Sequence, residues 1–272
     1  MLSIISIINN DVIAKDFLLH GLSCQNTRYE LILLNNKDFS YSSAAQAYNE
    51  GSAKATGDYL MFIHQDVLLP SPNWLKEAEN SLTTLSNLGV AGVAGMLQPT
   101  FINDVELYAR FCMLQRLNLI KVWYKRYARG SVFHGYERKP WWGKFTSETI
   151  LTRTLDEMLL IIPAKVFENS KFDEEVCDNW HLYGVDYSLS TYQEGRNVCV
   201  LPNPVVHLSL GKADKEYFRT LMKLIEKYRN EKIINTVFGP WSTRSKLTEM
   251  QVDRFLSNET RSIYHAGAIK QV

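Results

Sequence analysis

The feature that most constrains this chain is a short apolar run, Tyr59–Ile63, followed directly by the polar residues His64, Gln65 and Asp66. Such a run is typical of a strand buried on both faces, as in a parallel sheet. Pro70 then prevents a regular continuation. An imidazole, an amide and a carboxylate therefore lie together at the carboxyl end of an interior strand. In open α/β sheets that edge is where ligands bind.

Asp66 has two interpretations on this stretch alone. A carboxylate at a ligand-binding edge is a suitable ligand for a hard divalent cation, and such a cation is a suitable partner for a diphosphate. The alternative is that Asp66 merely caps the turn or helix that follows. Both interpretations stay open at this point.

Strand and helix patterns alternate along the first part of the chain. The predicted elements are strands at 2–8, 29–34 and 58–63 and helices at 12–22 and 42–55, the latter capped by Ser42 or Ser43. This alternation is typical of right-handed βαβ units and a parallel sheet. The polar ends of the strands would then meet at one edge, bringing Asn9, Asn35, His64 and Asp66 together. Such a group suits a nucleotide, because an amide can contact a base while Asp66 holds a metal on the phosphates.

The second half of the chain continues with further buried strands and helices. They are predicted at 74–88 (helix), 90–96 (strand), 155–163 (strand), 180–194 (helix), 198–201 and 204–207 (strands) and 215–228 (helix), with mixed helix and loop over the last forty residues or so. The strand at 155–163 opens with two carboxylates, Asp156 and Glu157. Gly195 is the expected end of the helix predicted at 180–194.

Residues 98–150 have no clean period and are dense in aromatic and basic side chains. A long irregular insert at the edge of a site is often functional, and aromatic faces with Lys and Arg suit sugars and phosphates. The same mixture would suit a membrane surface or single-stranded nucleic acid. A surface subdomain with its own small core is an equally good interpretation.

Composition excludes several classes of protein. The formal net charge of +1 gives no electrostatic case for a nucleic-acid partner. The four cysteines are widely spaced and form no CxxC pair, which argues against a disulfide scaffold or a zinc site and favours a reducing cytosol. The apolar N-terminus carries no basic segment or cleavage signal and is too short to span a bilayer, so we interpret it as the first strand.

The order of these motifs resembles the GT-A glycosyltransferases, specifically the family 2-like inverting enzymes of bacterial surface-polysaccharide synthesis. The resemblance covers roughly residues 2–210. It is carried by the segments 4–10, 47–59, 64–66, 172–174, 181–189, Gly195 and 206–209. The block from Ala47 to Asp66 is the most specific part.

The resemblance implies a mostly parallel, Rossmann-like sheet flanked by helices. It implies a catalytic domain at residues 1–210, in which 98–150 form an acceptor-side insert, and a C-terminal helical extension at 211–272. It also implies a nucleotide-diphosphate-sugar donor and a divalent cation, Mn²⁺ or Mg²⁺. Asp66 falls on the second acid of the Asp-x-Asp motif and His64 on the first. Asn35 and Asn36 stand where an acidic pair usually contacts the base, and His207 falls on a late His that completes the metal or diphosphate site.

The matched block extends the expected donor contacts to Asn49 and Gln65, and Lys54 could meet the donor phosphates or the acceptor. Asp186 is the favoured catalytic base, and an N-terminal cap of its helix is the alternative role for this residue. Asp186 aligns with the last acid of the helix-start motif, while Gly184 stands at the usual base. Asp156 and Glu157 compete with Asp186, since they head a strand leading to the same cleft.

The sequence therefore predicts a glycosyltransferase, either cytoplasmic or bound peripherally at the inner membrane face, that transfers sugar to a saccharide or lipid-linked saccharide acceptor. A degenerate GT-A domain that binds nucleotide sugar or glycan without turnover is the alternative. A nucleotidyltransferase is disfavoured, because no Gly-rich phosphate loop follows the first strand.

Overall fold

The structure is a computed structural model that describes residues 1–98, 125–141 and 143–243. Within them, a central sheet has the strand order β10-β13-β5-β12-β3-β1-β2. Its strands are β1 (Leu2–Ile8), β2 (Tyr29–Asn35), β3 (Tyr59–Ile63), β5 (Leu88–Gly92), β10 (Ile150–Leu151), β12 (Leu159–Pro163) and β13 (Asn197–Val200). β1 runs parallel to both β2 and β3, and β13 runs parallel to β5. The predicted α/β fold class is confirmed.

Three smaller sheets surround this one. β4 (Val67–Leu68), β14 (Val205–His207), β8 (Val132–His134) and β9 (Lys139–Pro140) form a sheet in that order. β11 (Thr154–Leu155), β6 (Ala94–Met96) and β7 (Ala128–Gly130) form another, and β15 (Ile233–Thr236) pairs with β16 (Gly239–Ser242). The sheet containing β4 and β14 positions the functional site, as shown below.

The described helices flank these sheets. They are α1 (Asp11–Ala14), a π-helical turn (Lys15–Leu19), α2 (His20–Ser23), α3 (Ala44–Ser52), α4 (Trp74–Thr84), α5 (Ala164–Asn169), α6 (Tyr183–Gln193) and α7 (Lys215–Lys227). Ser43 caps α3 as predicted, its hydroxyl accepting from Gln46 N at 3.1 Å. Gly195 ends the α6 segment with φ +77°, a left-handed conformation that glycine adopts without strain.

Two predicted strands are divided in the structure. The apolar run 90–96 passes from β5 to β6, and the run 155–163 passes from β11 to β12, so each contributes to two sheets. β12 also runs antiparallel to its neighbours β3 and β5. A buried apolar run has the same composition in either direction, so its sequence does not indicate direction or a bend. The first division falls at Val93, between the end of β5 and the start of β6.

The core lies on both faces of the central sheet. One cluster includes Ile4, Met61 and Trp74, and a second, on α3 and α5, includes Phe62 and Phe167. A third cluster packs α7 on α6. No helix in the described ranges is long and apolar enough to cross a membrane.

Two expectations meet the structure only in part. Residues 99–124 and 142 of the insert lie outside the described residues, as does the chain after 243. The described part of the insert forms β7, β8 and β9, and Trp141 packs into the first core cluster. Residues 233–242 form a hairpin where mixed helix and loop was predicted. The division at residue 210 stays a prediction.

Candidate active site

Three side chains that can bind a metal meet at the carboxyl end of β3. His64 follows the last residue of β3, and Asp66 lies in the turn leading to β4. β14 pairs antiparallel with β4, which places His207 opposite Val67. One ligand atom from each of His64, Asp66 and His207 lies within 4.8 Å of the others. The fold therefore assembles this triad from two distant parts of the chain.

Asp66 and His207 form a close, mostly buried pair. His207 Nε2 lies 3.4 Å from Asp66 Oδ1, and Ser209 N donates to Asp66 Oδ2 at 3.2 Å. Burial alone would raise the pKa of Asp66, but His207 and His64 outweigh it and lower this pKa to about 2. Burial would lower the pKa of His207, but Asp66 outweighs it and raises that pKa. Asp66 is thus a carboxylate at neutral pH.

The contacts of Tyr183 bear on the tautomer of His64. Burial lowers the pKa of His64, so its ring is neutral. Tyr183 Oη lies 3.1 Å from Glu157 O and 2.9 Å from His64 Nε2. When the single hydroxyl hydrogen is donated to Glu157 O, Tyr183 accepts from His64 Nε2–H. His64 Nδ1 is then the unprotonated nitrogen.

The triad fits a divalent cation. His207 is only 6% exposed, yet its Nδ1 has no hydrogen-bond partner within the described residues, and its Nε2 has only the long 3.4 Å contact with Asp66. A buried polar atom without a partner needs a ligand or water to satisfy it. Together with the Asp66 carboxylate and His64, this makes a donor set of two imidazoles and one carboxylate, which suits a transition metal such as Mn²⁺.

His134 is a neighbour of the triad that the sequence did not single out. β8 runs parallel to β14 with His134 in register with His207, and the two rings are 5.7 Å apart. Its Nδ1 lies 2.8 Å from Ser209 O, on the residue whose N–H holds Asp66. Tyr183 was also missed. Neither contact has a signal in the sequence, because each depends on the pairing of distant segments.

Gln65 and Asn9 meet as predicted, at the carboxyl ends of β3 and β1. Gln65 Oε1 accepts from the backbone N–H groups of Asn9 and Asn10, each at 3.0 Å, and Gln65 Nε2 donates to Asn9 Oδ1. The amide therefore fixes the turn after β1. Asn35 and Asn36 end β2 at the same edge. Asn35 is exposed, whereas Asn36 is buried and its Oδ1 accepts from Tyr41 N at 2.9 Å.

Asn49 and Lys54 are not brought to this edge. Asn49 is bonded to the backbone of Phe172 and to Glu174. Lys54 pairs with Glu50 on the surface at 3.2 Å and precedes β3, near its amino end. Residues that come before a strand lie at the edge opposite to those that follow it, so Lys54 is separated from His64 by the length of β3. The roles proposed for both residues stay predictions.

The three candidate bases have different surroundings. Asp186 is 3% exposed and accepts from Lys227 Nζ at 2.8 and 3.0 Å and from Tyr228 Oη at 2.8 Å. Burial raises its pKa despite Lys227. Asp156 and Glu157 are half-buried in the junction between β11 and β12. Burial, together with Asp156, raises the pKa of Glu157 to about 8.

A cavity adjoins this junction. It is lined by Met96, Thr154, Leu155, Asp156, Glu157, Leu182, Val185, Tyr217, Thr236, Val237 and Phe238. Asp156 and Glu157 thus border a small cavity whose walls also include aromatic and aliphatic residues of α6, α7 and the β15–β16 hairpin.

Comparison with protein families places this site in context. Residues 3–232 match the family described as "Glycosyltransferase like family". The chain belongs to this family. The resemblance seen in the sequence is confirmed, and the chain is an enzyme of the glycosyltransferase class. No curated protein matches it in sequence.

Solved structures of glycosyltransferases share its fold. The mannosyltransferase PcManGT from Pyrobaculum calidifontis, in complex with GDP-Man and Mn²⁺, aligns at 11% identity with TM-score 0.50, over 100% of this chain and 76% of that one. S. aureus TarS 1-349 aligns at 12% with TM-score 0.52, over 99% and 75%. GalNAc-T7 with UDP, GalNAc and Mn²⁺ aligns at 13% with TM-score 0.53, over 83% of this chain and 47% of that chain. At these identities the likeness shows the GT-A fold alone.

Proposed function

We propose that this glycosyltransferase transfers a sugar from a nucleotide-diphosphate donor to an acceptor hydroxyl, with inversion at the anomeric carbon and with a divalent cation. The observation that carries the proposal is the gathering of His64, Asp66 and His207 at the carboxyl edge of β3. Two of the structures that share the fold hold Mn²⁺ together with GDP-Man or UDP. The metal site and the donor site would coincide in this chain.

Each residue of the triad would bind the cation through an atom that is free to do so. These atoms are the Asp66 carboxylate, His64 Nδ1 and a ring nitrogen of His207. When bound, the cation would neutralise the charge that develops on the leaving diphosphate. Ser209 N–H holds the other oxygen of Asp66 and so fixes the carboxylate's orientation. Asn35, exposed at the end of β2, is the amide available for the base.

Inversion requires a single displacement. A carboxylate accepts the proton of the acceptor hydroxyl while that oxygen forms a bond to the anomeric carbon. The bond from that carbon to the diphosphate oxygen breaks, and its electron pair leaves with the diphosphate. Asp156, Glu157 and Asp186 are the candidates for the base.

We further propose that the acceptor is a saccharide or lipid-linked saccharide of a bacterial surface polysaccharide, and that transfer takes place on the cytoplasmic side, with peripheral attachment to the inner membrane face. This rests on the resemblance carried by the motifs of residues 2–210. In the same assignment residues 1–210 are the catalytic domain and 211–272 are an extension. Helix α7 of this extension packs onto α6.

A binding domain without turnover is the second candidate. The absence of a carboxylate at Gly184 and the engagement of Asp186 by Lys227 favour it. Binding of nucleotide sugar would then be retained while no product forms. Only a measurement of both properties separates the two functions.

The experiment begins with thermal unfolding of the whole chain, with and without Mn²⁺, against UDP-glucose, UDP-galactose, UDP-N-acetylglucosamine, GDP-mannose and dTDP-rhamnose. A ligand at 100 times its dissociation constant stabilises the native state by about 2.7 kcal/mol. We expect a Mn²⁺-dependent shift with one nucleotide, lost in Asp66→Asn and kept in the exposed control Asp16→Asn. Release of nucleoside diphosphate from that donor then distinguishes an enzyme from a binding domain. No shift with any nucleotide contradicts both.

A further inference from the structure

Gly184 packs closely against Glu157. A Cβ built on Gly184 would lie 3.1 Å from Glu157 Cα and 3.2 Å from its Cβ. Gly184 is in the first turn of α6, and Glu157 lies in the junction between β11 and β12. The strand junction therefore packs against α6 at the point where the helix has no side chain, and this residue of the junction carries a carboxylate.

The backbone of α6 is arranged around this carboxylate. Leu182 N donates to Glu157 Oε1 at 2.9 Å. Leu182 adopts φ +66°, which is unfavourable for a residue other than glycine, although its side chain is buried. Strained residues of this kind persist where the surrounding structure requires them, and they cluster at functional sites. Here the strain places an N–H group on the Glu157 carboxylate at the start of a helix.

Glu157 is also linked to the triad and open to the cavity. Tyr183 Oη joins Glu157 O to His64 Nε2 through two hydrogen bonds. Glu157 lines the cavity together with Asp156, Tyr217 and Phe238. Burial and Asp156 raise the pKa of Glu157, which makes its carboxylate a stronger base once ionised.

Asp186 has a different task in this arrangement. Both of its oxygens accept from Lys227 Nζ, and one also accepts from Tyr228 Oη. Lys227 pairs at the same time with Asp173 at 2.8 Å. These contacts tie the end of α7 to α6 and to the segment before it. With its oxygens engaged and 3% of its surface exposed, Asp186 is not open to an acceptor hydroxyl.

We propose that Glu157 is the catalytic base of this glycosyltransferase, in the space beside Gly184, and that Asp186 is a structural anchor for α7. The inference rests on the proposed function. The acceptor O–H proton passes to a Glu157 oxygen as the acceptor oxygen bonds to the anomeric carbon, and the nucleoside diphosphate leaves with the electron pair of the broken bond. With water as acceptor, the products are free sugar and nucleoside diphosphate.

The test compares Glu157→Gln with Glu175→Gln, an exposed glutamate outside the cavity. The donor is the nucleotide sugar that gives a Mn²⁺-dependent thermal shift, and the readout is release of nucleoside diphosphate. Loss of a general base typically lowers the rate 10²- to 10⁴-fold, so we expect Glu157→Gln to fall at least 100-fold with its thermal shift retained. Glu175→Gln should match the wild type. Asp186→Asn should lose thermal stability but less than tenfold in turnover per folded molecule.

Turnover by Glu157→Gln within threefold of the wild type would overturn Glu157 as the base, leaving the proposed function intact. Absence of any nucleotide shift in the wild type would remove the proposed function itself.

Discussion

His207 Nε2 lies 3.4 Å from Asp66 Oδ1, and the pairing of β14 with β4 brings the two residues together. This contact is long for a hydrogen bond, and Nδ1 of the buried imidazole has no hydrogen-bond partner in the described part of the chain. The pair therefore leaves donor atoms that a third participant can use. A cation shared with His64 would satisfy both side chains.

Replacing His207 with Ala should abolish stabilisation by Mn²⁺. Mn²⁺ at 100 times its dissociation constant would stabilise the native state by about 2.7 kcal/mol, and we expect this stabilisation to fall close to zero in the variant. The measurement is the thermal midpoint with and without Mn²⁺, and His20→Ala, at an exposed histidine, is the matched control. A full Mn²⁺ shift in His207→Ala would remove this residue from the metal site.

Mn²⁺ should bind more tightly than Mg²⁺. Imidazole nitrogen is a better ligand for transition metals, whereas Mg²⁺ prefers oxygen ligands, and His64 and His207 supply two of the three donor atoms. Titration calorimetry of both ions into the metal-free protein measures the difference. We expect at least a tenfold lower dissociation constant for Mn²⁺, about 1.4 kcal/mol. Equal affinity would indicate that oxygen ligands dominate the site.

Phe62 is a residue of β3, the strand that leads to the site, and its side chain packs in the core. Its ring is fully buried against Tyr48, Phe167 and Phe172, with centroids 4.9 to 5.1 Å apart. Phe62→Ala should lower the free energy of unfolding by about 3–5 kcal/mol, through lost burial and the cavity left behind. Phe39→Ala, at a ring 83% exposed, should change it by less than about 0.5 kcal/mol. Denaturant unfolding at one pH gives both values.

The sequence indicated the local parts of this site and little of its assembly. The apolar run before His64 predicted a buried strand with ligands at its end, and Ser43 was predicted as a helix cap; both rest on neighbouring residues alone. The direction of β12 and the division at Val93 were not indicated, because an apolar run has the same composition in either direction and on either side of a bend. The motif order placed His207 in the site, but its 3.4 Å approach to Asp66 follows from strand pairing.

The base illustrates the same limit. Alignment of the helix-start motif indicated Asp186 as the base. The motif does not include Lys227, which donates to both carboxylate oxygens of Asp186. The contact between Gly184 and Glu157 joins two segments that no local pattern relates. A sequence can thus name the carboxylates near a cleft, whereas their availability depends on long-range contacts.

Lys227→Met should destabilise the protein. The substitution leaves Asp186, whose side chain is 4% exposed, without its cation, and breaking a buried pair costs about 3–5 kcal/mol. Because Lys227 itself is 30% exposed, we expect the lower end, about 3 kcal/mol. Lys223→Met, one turn earlier on α7, removes a more exposed pair with Asp178 and should cost under about 1 kcal/mol. Equal losses in the two variants would show that Asp186 is not specifically held by Lys227.

Glu157→Gln should change how stability depends on pH. The folded pKa of Glu157 is about 8, raised by burial and by Asp156, against about 4.3 in an unfolded chain. Between these values the folded state holds a proton that the unfolded state releases, so this contribution to stability is complete below about pH 4.3 and is lost as the pH rises through 8. Glutamine does not titrate and keeps a neutral side chain throughout.

The thermal midpoint of Glu157→Gln, measured relative to the wild type, should therefore rise between pH 5 and pH 9. Asp156 and the Tyr183 hydroxyl are the neighbouring titratable groups, and both remain in the variant. Glu175→Gln, at an exposed side chain, is the matched control. A constant difference for Glu157→Gln as well would mean that its carboxyl is already ionised in the folded protein at pH 5.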